Sequence, residues 1–289
     1  MNSKMKIKAL ILDIDGVLVG EQKGYNSPDP HPDVVNALIR IKEKQIPITL
    51  CTAKPHFAIS SIVEEASLDN PHITDGGGVI INPIKKEIIQ SNLLKKSSAL
   101  KVLDFFIKAD FYVEFYTIDS YFSQKNFDQE IRKAHAYVLQ HEAELVNLLV
   151  NEIEKYDVTK IMIVAKNENE KQKITDLFKP FENDLTLSWG LHPTILPLQF
   201  GIVTAKGISK EDGAIEVSKY LGIDLDHFLG VGDSVSDWQF IYLCKYAGAM
   251  GNASEELKEL VRSKKDDGFI GGDVNNNGIL EIFKYYKLL

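Results

Sequence analysis

Cysteine is scarce in this sequence, and long apolar runs and a surplus of basic residues are missing. Two cysteines in 289 residues, Cys51 and Cys244, exclude a disulfide scaffold and a cysteine-rich zinc site. No segment reaches the roughly 18 consecutive apolar residues that a membrane-spanning helix needs. The chain carries 33 basic and 41 acidic side chains, a formal net charge of −8, which excludes nucleic-acid binding through a broad positive field. We therefore expect neither a membrane nor a nucleic acid as a partner.

Two further absences narrow the class of protein. The sequence has no G-x-S-x-G motif of a serine hydrolase and no G-x-x-x-x-G-K-[ST] loop of a nucleotide kinase. The N-terminal lysines and the apolar residues after them do not predict a signal peptide, because Asp13 and Asp15 interrupt the apolar stretch. What is present is an ordinary globular composition, 44% hydrophobic and 26% charged, and a length that predicts about two domains. We expect a soluble cytoplasmic protein.

The two ends of the chain show the alternation of an α/β fold. Mostly apolar runs at 7–14, 46–51 and 227–232 predict strands that are buried on both faces. Apolar residues at helical spacing lie between the first two runs and before the third. Strand, helix and parallel strand form the crossover unit of doubly wound sheets. Residues 1–83 and 199–289 are therefore predicted to form one discontinuous α/β core.

The middle of the chain is organised differently. Strands are predicted at 112–118, 160–165 and 185–189, and a long helix at 127–150. Their mixed order indicates an α+β unit, so an inserted domain is predicted over residues 84–198. A set of aromatic residues is interpreted as its core: Phe105, Phe106, Phe111, Tyr112, Phe115 and Tyr116.

Aspartates follow two of the predicted buried strands. Asp13-Ile14-Asp15-Gly16 follows the first strand, and Asp233 and Asp237 follow the run at 227–232. Ligands of open α/β sheets bind at the carboxyl ends of strands, and alternation along an extended chain points Asp13 and Asp15 the same way. Paired carboxylates repel each other unless a cation or a shared proton intervenes, and Mg²⁺ binds carboxylate oxygens. For the first motif alone, two turn-capping aspartates are an equally good interpretation.

Four motifs in order resemble those of the haloacid dehalogenase (HAD) superfamily of phosphohydrolases. They are Asp13-Ile14-Asp15-Gly16, Thr52 after the second strand, Lys210, and the acidic loop at 233–237. Two further segments, Lys206-Gly207-Ile208-Ser209-Lys210 and Gly251-Asn252-Ala253, resemble subfamily IIB, the Cof-like and sucrose-phosphate-phosphatase-like enzymes. The resemblance implies a Rossmann-like core with an inserted C2-type cap domain.

The resemblance also implies a role for each of these residues. Asp13 would attack phosphorus to give an aspartyl phosphate, and Asp15 would act as general acid and then as general base. With Thr52 and Lys210, which would contact the phosphoryl group, they make up the implied catalytic set. The implied ligands of Mg²⁺ are Asp13, Asp15 through its backbone carbonyl, Asp233 and Asp237. The implied substrate contacts are Gly16, Thr52, Ala53, Lys54, Lys210 and Asn252.

Several residues leave alternatives open. Lys206 is the rival of Lys210, which is favoured because its position before Leu221-Gly222 matches the spacing of the family it resembles. Thr52-Ala53-Lys54 and Asp75-Gly76-Gly77-Gly78 depart from the family's usual Thr-Gly-Arg and Asn-Gly, which puts the substrate in doubt. Lys54 is interpreted either as a substrate contact or as an exposed lysine.

Two further features could indicate a metal or ligand site, but a structural role is the favoured interpretation of each. Asp273, Asn275 and Asn277 match half of a calcium loop, but Lys284 stands where the closing Glu belongs, so a polar turn is predicted. His192, next to Pro193 near the predicted domain junction, could reach the cleft, but an ordinary loop histidine is the favoured interpretation.

The sequence therefore predicts a Mg²⁺-dependent phosphatase of small phosphorylated metabolites, with sugar phosphates as the favoured substrates. A phosphomutase of the phosphomannomutase type is one alternative, and a non-catalytic sugar-phosphate-binding protein is another. The sequence does not distinguish a monomer from a homodimer.

Overall fold

The structure, a computed structural model, describes residues 7–289. Its strands in chain order are β1 (Ala9–Leu12), β2 (Ile48–Leu50), β3 (His72–Thr74), β4 (Val79–Asn82), β5 (Glu87–Ser91), β6 (Tyr112–Tyr116), β7 (Tyr121–Gln124), β8 (Glu144–Val146), β9 (Lys160–Ala165), β10 (Leu185–Leu191), β11 (Gln199–Ala205), β12 (Phe228–Gly232), β13 (Tyr246–Ala249) and β14 (Gly268–Ile270). Its α-helices are α1 (Pro32–Glu43), α2 (Ser60–Glu65), α3 (Lys96–Lys108), α4 (Gln129–Leu139), α5 (Leu149–Glu152), α6 (Glu168–Phe178), α7 (Lys210–Leu221), α8 (Trp238–Ile241), α9 (Glu255–Ser263) and α10 (Ile279–Tyr285). Within this part of the chain no helix is long and apolar enough to cross a membrane.

A five-stranded parallel sheet forms the core. Its strand order is β14, β13, β12, β1, β2. Every residue of the central strand β1 is fully buried, as expected for an apolar run in a parallel sheet that is covered on both faces. Leu12 lies opposite both Val231 and Leu50, so the three strands end at the same edge of the sheet. The predicted α/β core is confirmed.

A six-stranded mixed sheet is built from the middle of the chain, in the order β10, β11, β9, β6, β7, β8. Alternation along β6 puts Val113 and Phe115 on the face that packs against α3, and Tyr112 and Tyr116 on the opposite face. The single aromatic core predicted for this region is therefore wrong in part, because the aromatic residues divide between the two faces. Phe105, also part of that predicted core, has 37% of its surface exposed to solvent.

A small antiparallel sheet of β3, β4 and β5 lies at the point where the chain leaves the core. The predicted boundary after residue 83 cuts this sheet, since β5 pairs with β4. The predicted boundary before residue 199 cuts the six-stranded sheet, since β11 pairs with β9 and β10. We propose that the chain crosses between core and cap at 92–95 and at 206–209, where no strand is interrupted.

The long helix predicted at 127–150 is wrong. Asp128 caps α4 through bonds from the backbone N–H groups of Glu130 and Ile131, but the helix ends at Leu139. Gln140 takes a left-handed conformation with φ 51°, which stops the helix. The apolar residues beyond Gln140 belong to the edge strand β8 and the short helix α5. They are placed by the pairing of β8 with the sheet and not by the periodicity of one helix.

Candidate active site

The predicted site residues meet at the carboxyl edge of the parallel sheet. Asp13 follows β1, Thr52 comes two residues after β2, and Asp233 follows β12. Since these strands are neighbours in register, their ends bring three distant parts of the chain together. Lys210 opens α7 and reaches the same place from the side.

Lys210 links two of the aspartates. Its Nζ lies 2.7 Å from Oδ1 of Asp13 and 2.6 Å from Oδ1 of Asp237. These contacts hold the pKa of Lys210 well above its usual range in spite of burial, which by itself would lower it. Lys206, the rival in sequence, is exposed, and its backbone N–H bonds to the carbonyl of Asp184. The structure therefore places Lys210 and not Lys206 beside Asp13.

Asp13, Asp233 and Asp237 form an acidic cluster in which one oxygen of each lies within 4.8 Å of the others. Burial and the nearby carboxylate of Asp237 raise the pKa of Asp13 to about 7. The same two causes hold the pKa of Asp233 well above its usual range. Protonation relieves this repulsion, and so would a divalent cation, since three buried carboxylate oxygens are the donor set that Mg²⁺ prefers. The residues thus fit a divalent metal ion.

Asp237 is fully buried, and both of its oxygens are engaged. Oδ1 contacts Lys210, while Oδ2 accepts bonds from the backbone N–H groups of Asp233 and Ser234 at 3.0 and 3.1 Å. These bonds fix the loop that carries Asp233. Gly232 leaves room for this packing, because a Cβ there would lie 2.3 Å from that of Asp237.

The side chain of Asp15 lies outside the acidic cluster and has its own partners. Its Oδ1 lies 2.7 Å from Nζ of Lys54 and 3.2 Å from Nε2 of His192. Burial alone would raise the pKa of Asp15, but these two neighbours outweigh it and hold the pKa well below the usual range. The side chain of Asp15 is thus turned toward Lys54 and His192, and its backbone carbonyl stays the candidate metal ligand.

The structure gives Lys54 and His192 defined places beside Asp15. Lys54 is buried, so its interpretation as an exposed lysine is wrong. His192 is not an ordinary loop residue: its Nδ1 accepts a bond from the N–H of Thr194 at 3.2 Å, which leaves the proton of the neutral ring on Nε2, facing Asp15. No local signal marks His192, since it is 177 residues from Asp15 in the chain and only the packing of the cap onto the core brings the two together.

The loop after β2 is held from both sides. Oγ1 of Thr52 accepts a bond from the N–H of Lys54 at 3.1 Å, and the hydroxyl proton remains available for a ligand. From the cap, Nζ of the fully buried Lys160 donates to the carbonyl of Ala53 at 2.6 Å and lies 2.9 Å from Asp75. Residues 52–54 are therefore in contact with both parts of the protein.

Gly16 and Asn252 shape the loop after Asp13. Gly16 has φ +81°, and a Cβ there would lie 2.1 Å from Oδ2 of Asp233, so glycine is required. The amide of Asn252 donates to the carbonyl of Gly16 at 2.8 Å and accepts from the N–H of Val274 at 2.9 Å. Both ends of this amide bind main chain, so Asn252 holds the loop at Gly16 in place; its contact with a substrate stays a prediction.

The half-matched calcium motif is a capped turn. Oδ1 of Asp273 accepts a bond from the N–H of Asn275 at 2.8 Å, and Oδ1 of Asn275 in turn accepts from the N–H of Glu21 at 3.2 Å. The segment packs against the loop after β1.

A cavity of about 50 Å³ lies between Asp15 and the six-stranded sheet of the cap. Such a volume holds roughly three or four water molecules. Its core side is formed by Asp15, Ala53 and Lys54, and His192 lies beside them. The remaining wall comes from α4, β9, the end of β10 and β11. This cavity is the space in which the non-phosphate part of a ligand would lie.

The sequence profile of haloacid dehalogenase-like hydrolases matches residues 10–283. This chain belongs to that family. The family assignment made from four short motifs is confirmed, and the match runs through the cap as well as the core.

Individual relatives agree with the family match. A putative phosphatase of Streptococcus pyogenes serotype M6 is 22% identical over 98% of this chain and 100% of its own length. Phosphatase YwpJ of Bacillus subtilis is 24% identical over 88% of this chain and 93% of its own. Among solved structures, the HAD subclass IIB sugar phosphatase BT4131 superposes with a TM-score of 0.77 at 20% identity, over 98% of this chain and all of that one. The predicted core-plus-cap fold is confirmed, and so is the prediction of a phosphoric monoester hydrolase rather than a non-catalytic binding protein.

Proposed function

We propose that this enzyme is a Mg²⁺-dependent phosphatase of small phosphorylated metabolites that works through a phosphorylated Asp13. The observation that carries the proposal is the division of the carboxylates between two environments. Asp13 lies against Lys210 within the acidic cluster, whereas Asp15 lies apart, beside Lys54 and the cavity. A nucleophile needs a cationic surrounding that also attracts phosphate, and an acid/base group needs access to the leaving group.

The reaction proceeds in two displacements. An Asp13 carboxylate oxygen attacks phosphorus, the P–O bond to the leaving group breaks, and the leaving oxygen takes a proton from Asp15. Water then attacks the phosphorus of phosphorylated Asp13 and gives a proton to Asp15, and the bond between phosphorus and the Asp13 oxygen breaks. Inorganic phosphate leaves, and both carboxyl groups return to their starting states.

Asp13, the backbone carbonyl of Asp15, and Asp233 would hold the metal ion. Mg²⁺ bound there would neutralise the negative charge shared by Asp13 and the phosphoryl oxygens. Asp237 keeps Asp233 and Lys210 in place through its contacts with both.

Three groups of the chain would bind the phosphoryl oxygens. Lys210 offers an ammonium group from the side of Asp13, and Thr52 offers its hydroxyl. Before a substrate binds, the ammonium group of Lys54 contacts Asp15, and the carboxylate of Asp15 is ionised in this arrangement. A phosphoryl group that competes for the Lys54 ammonium would let the pKa of Asp15 rise, as its role of general acid requires.

The favoured substrates from sequence are sugar phosphates, and the likeness to a sugar phosphatase supports this class. A cytoplasmic location stays a prediction from sequence.

The test is phosphate release from p-nitrophenyl phosphate and acetyl phosphate by the purified full chain. Activity should require Mg²⁺, disappear with EDTA and return when Mg²⁺ is restored. Asp13→Asn should lower kcat by about 1000-fold or more, as removal of a nucleophile does. Asp226→Asn, the same change at an exposed site remote from the cavity, is the matched control. Full activity in Asp13→Asn would refute the assigned nucleophile.

A further inference from the structure

The wall of the cavity that faces Asp15 is apolar. Alternation along two strands of the six-stranded sheet brings apolar side chains to the same face, and α4 adds more. These lining residues are Val138, Leu139, Met162, Phe200 and Ile202. A ligand that enters between Asp15 and the cap therefore meets hydrocarbon over most of its surface.

The polar groups of the lining are already occupied. Nζ of Lys160 is engaged with Ala53 and Asp75, as described above. Lys54 and His192 both face Asp15. A polyhydroxylated leaving group would lose its bonds to water on entry and find few replacements, which is unfavourable for each buried hydroxyl.

His135 is the exception. It is almost fully buried on α4 and lines the cavity. Its Nδ1 lies 2.8 Å from Oε2 of Glu114, a fully buried carboxylate that also accepts bonds from the hydroxyls of Tyr112 and Tyr116 at 2.8 and 2.7 Å. Burial alone would raise the pKa of Glu114, but His135 and the two hydroxyls hold it below its usual value.

This network fixes the imidazole of His135. Nδ1 lies close to the Glu114 carboxylate, and the ring packs on Phe200 with centroids 4.7 Å apart, so the ring is held from two sides. In the neutral ring a proton on Nδ1, which faces the carboxylate, leaves Nε2 as a hydrogen-bond acceptor. Nε2 makes no hydrogen bond within residues 7–289, and it can therefore accept one directed bond from a ligand.

We propose that the leaving group of the substrate is compact and largely apolar or aromatic, with one hydrogen-bond donor that binds Nε2 of His135. The proposal rests on the phosphatase function proposed above, but it departs from the sugar phosphates favoured from sequence: the cavity lining favours the phosphate ester of an arylmethyl or heteroarylmethyl alcohol that carries such a donor. His135 is then a specificity residue, and Glu114 is its positioning residue.

The test compares four phosphate esters in the presence of Mg²⁺: p-nitrophenyl phosphate, benzyl phosphate, 3-hydroxybenzyl phosphate and glucose 6-phosphate. We expect kcat/KM for 3-hydroxybenzyl phosphate, whose hydroxyl can donate to Nε2, to exceed that for benzyl phosphate roughly threefold to tenfold, the effect of one hydrogen bond. It should exceed that for glucose 6-phosphate by about 100-fold or more, since several hydroxyls would be buried without partners. A preference for glucose 6-phosphate over benzyl phosphate would overturn the proposal.

Variants test the assignment of His135. His135→Leu should bring the ratio of kcat/KM for the hydroxybenzyl and benzyl esters close to one, and His135→Gln, whose side-chain carbonyl can also accept, should retain part of it. Glu114→Gln should lower the same ratio, because the imidazole loses its fixed orientation. His141→Leu, a histidine outside the cavity lining, should leave the ratio as in the parent enzyme. An unchanged ratio in a folded His135→Leu would refute the role of His135, whereas a parent enzyme that hydrolyses none of the four esters would refute the phosphatase function itself.

Discussion

Lys54→Met removes one member of the buried pair that Lys54 forms with Asp15. Lys54 is 7% exposed and Asp15 is 16% exposed, so neither charge is well solvated. Loss of one partner of a buried pair costs about 3–5 kcal/mol, because the other charge stays buried without compensation. His192 remains 3.2 Å from Asp15 and offsets part of this. We therefore expect a loss of about 3 kcal/mol in the free energy of unfolding at pH 7, the low end of that range.

The effect should depend on pH with a definite sign. In the parent chain the pKa of Asp15 is below its usual value of 3.8, so the ionised carboxylate contributes fully to stability at every pH above about 4. Without Lys54, burial dominates and the pKa of Asp15 rises. The variant then loses further stability as the pH increases from 3.8 through that raised pKa. The difference between the two proteins should be smaller at pH 4 than at pH 7.

Urea unfolding followed by tryptophan fluorescence measures both the loss in the free energy of unfolding at pH 7 and its change with pH. EDTA is added to remove metal binding. Lys206→Met is the matched control, since Lys206 is exposed and its side chain has no ion-pair partner in the described part of the chain. Its free energy of unfolding should change by less than about 0.5 kcal/mol. Equal stabilities for the two variants, or a difference between parent and Lys54→Met that does not change with pH, would refute the reasoning.

Three other outcomes can be checked. His192→Gln should lower kcat by about tenfold, because Asp15 loses a group that orients it. The pH–rate profile of this variant should also shift, whereas a purely structural effect would lower the rate without shifting the profile. Gly16→Ala should weaken Mg²⁺ binding measured by calorimetry, because its Cβ would lie 2.1 Å from Oδ2 of Asp233. Since the pKa of metal-free Asp13 is raised to about 7, Mg²⁺ binding should release protons below that pH, so its affinity should fall as the pH falls. Calorimetry in two buffers of different ionisation enthalpy counts those protons, and a count of zero at pH 6 would contradict the raised pKa.

The acidic half of the site could be predicted because it depends on local pattern. Asp13 and Asp233 each follow an apolar strand, and parallel strands end at a common edge whatever lies elsewhere in the protein. The choice of Lys210 over Lys206 also followed from spacing within one segment. These residues are arranged by the topology of the sheet, which the alternation of strands and helices already indicates.

The other half of the site could not be predicted because it is made between the core and the cap. The partners of Asp15 are Lys54 and His192, which lie 39 and 177 residues away in the chain, and the docking of the cap decides their burial. The buried Glu114 had a weak signal, since Tyr112, Glu114 and Tyr116 alternate along one strand. That pattern puts a carboxylate between two hydroxyls on the same face, but the sequence does not show that His135 completes the set.

The position of the cap and the binding of phosphate are coupled through the loop at 52–54. Lys160 of the cap holds the carbonyl of Ala53, and its neighbours Thr52 and Lys54 are the groups proposed to bind the phosphoryl oxygens. The cavity holds only a few waters, so the cap must move away from this loop, or the loop must move, before a phosphate ester can enter. Either movement disturbs the contacts of Lys160, whose fully buried ammonium is stabilised by Asp75, by the carbonyl of Ala53 and by the ring of Tyr116, whose centroid is 4.3 Å away. The contacts with Asp75 and Ala53 lie beside the residues proposed to bind phosphate, where an incoming phosphoryl group can compensate for their loss.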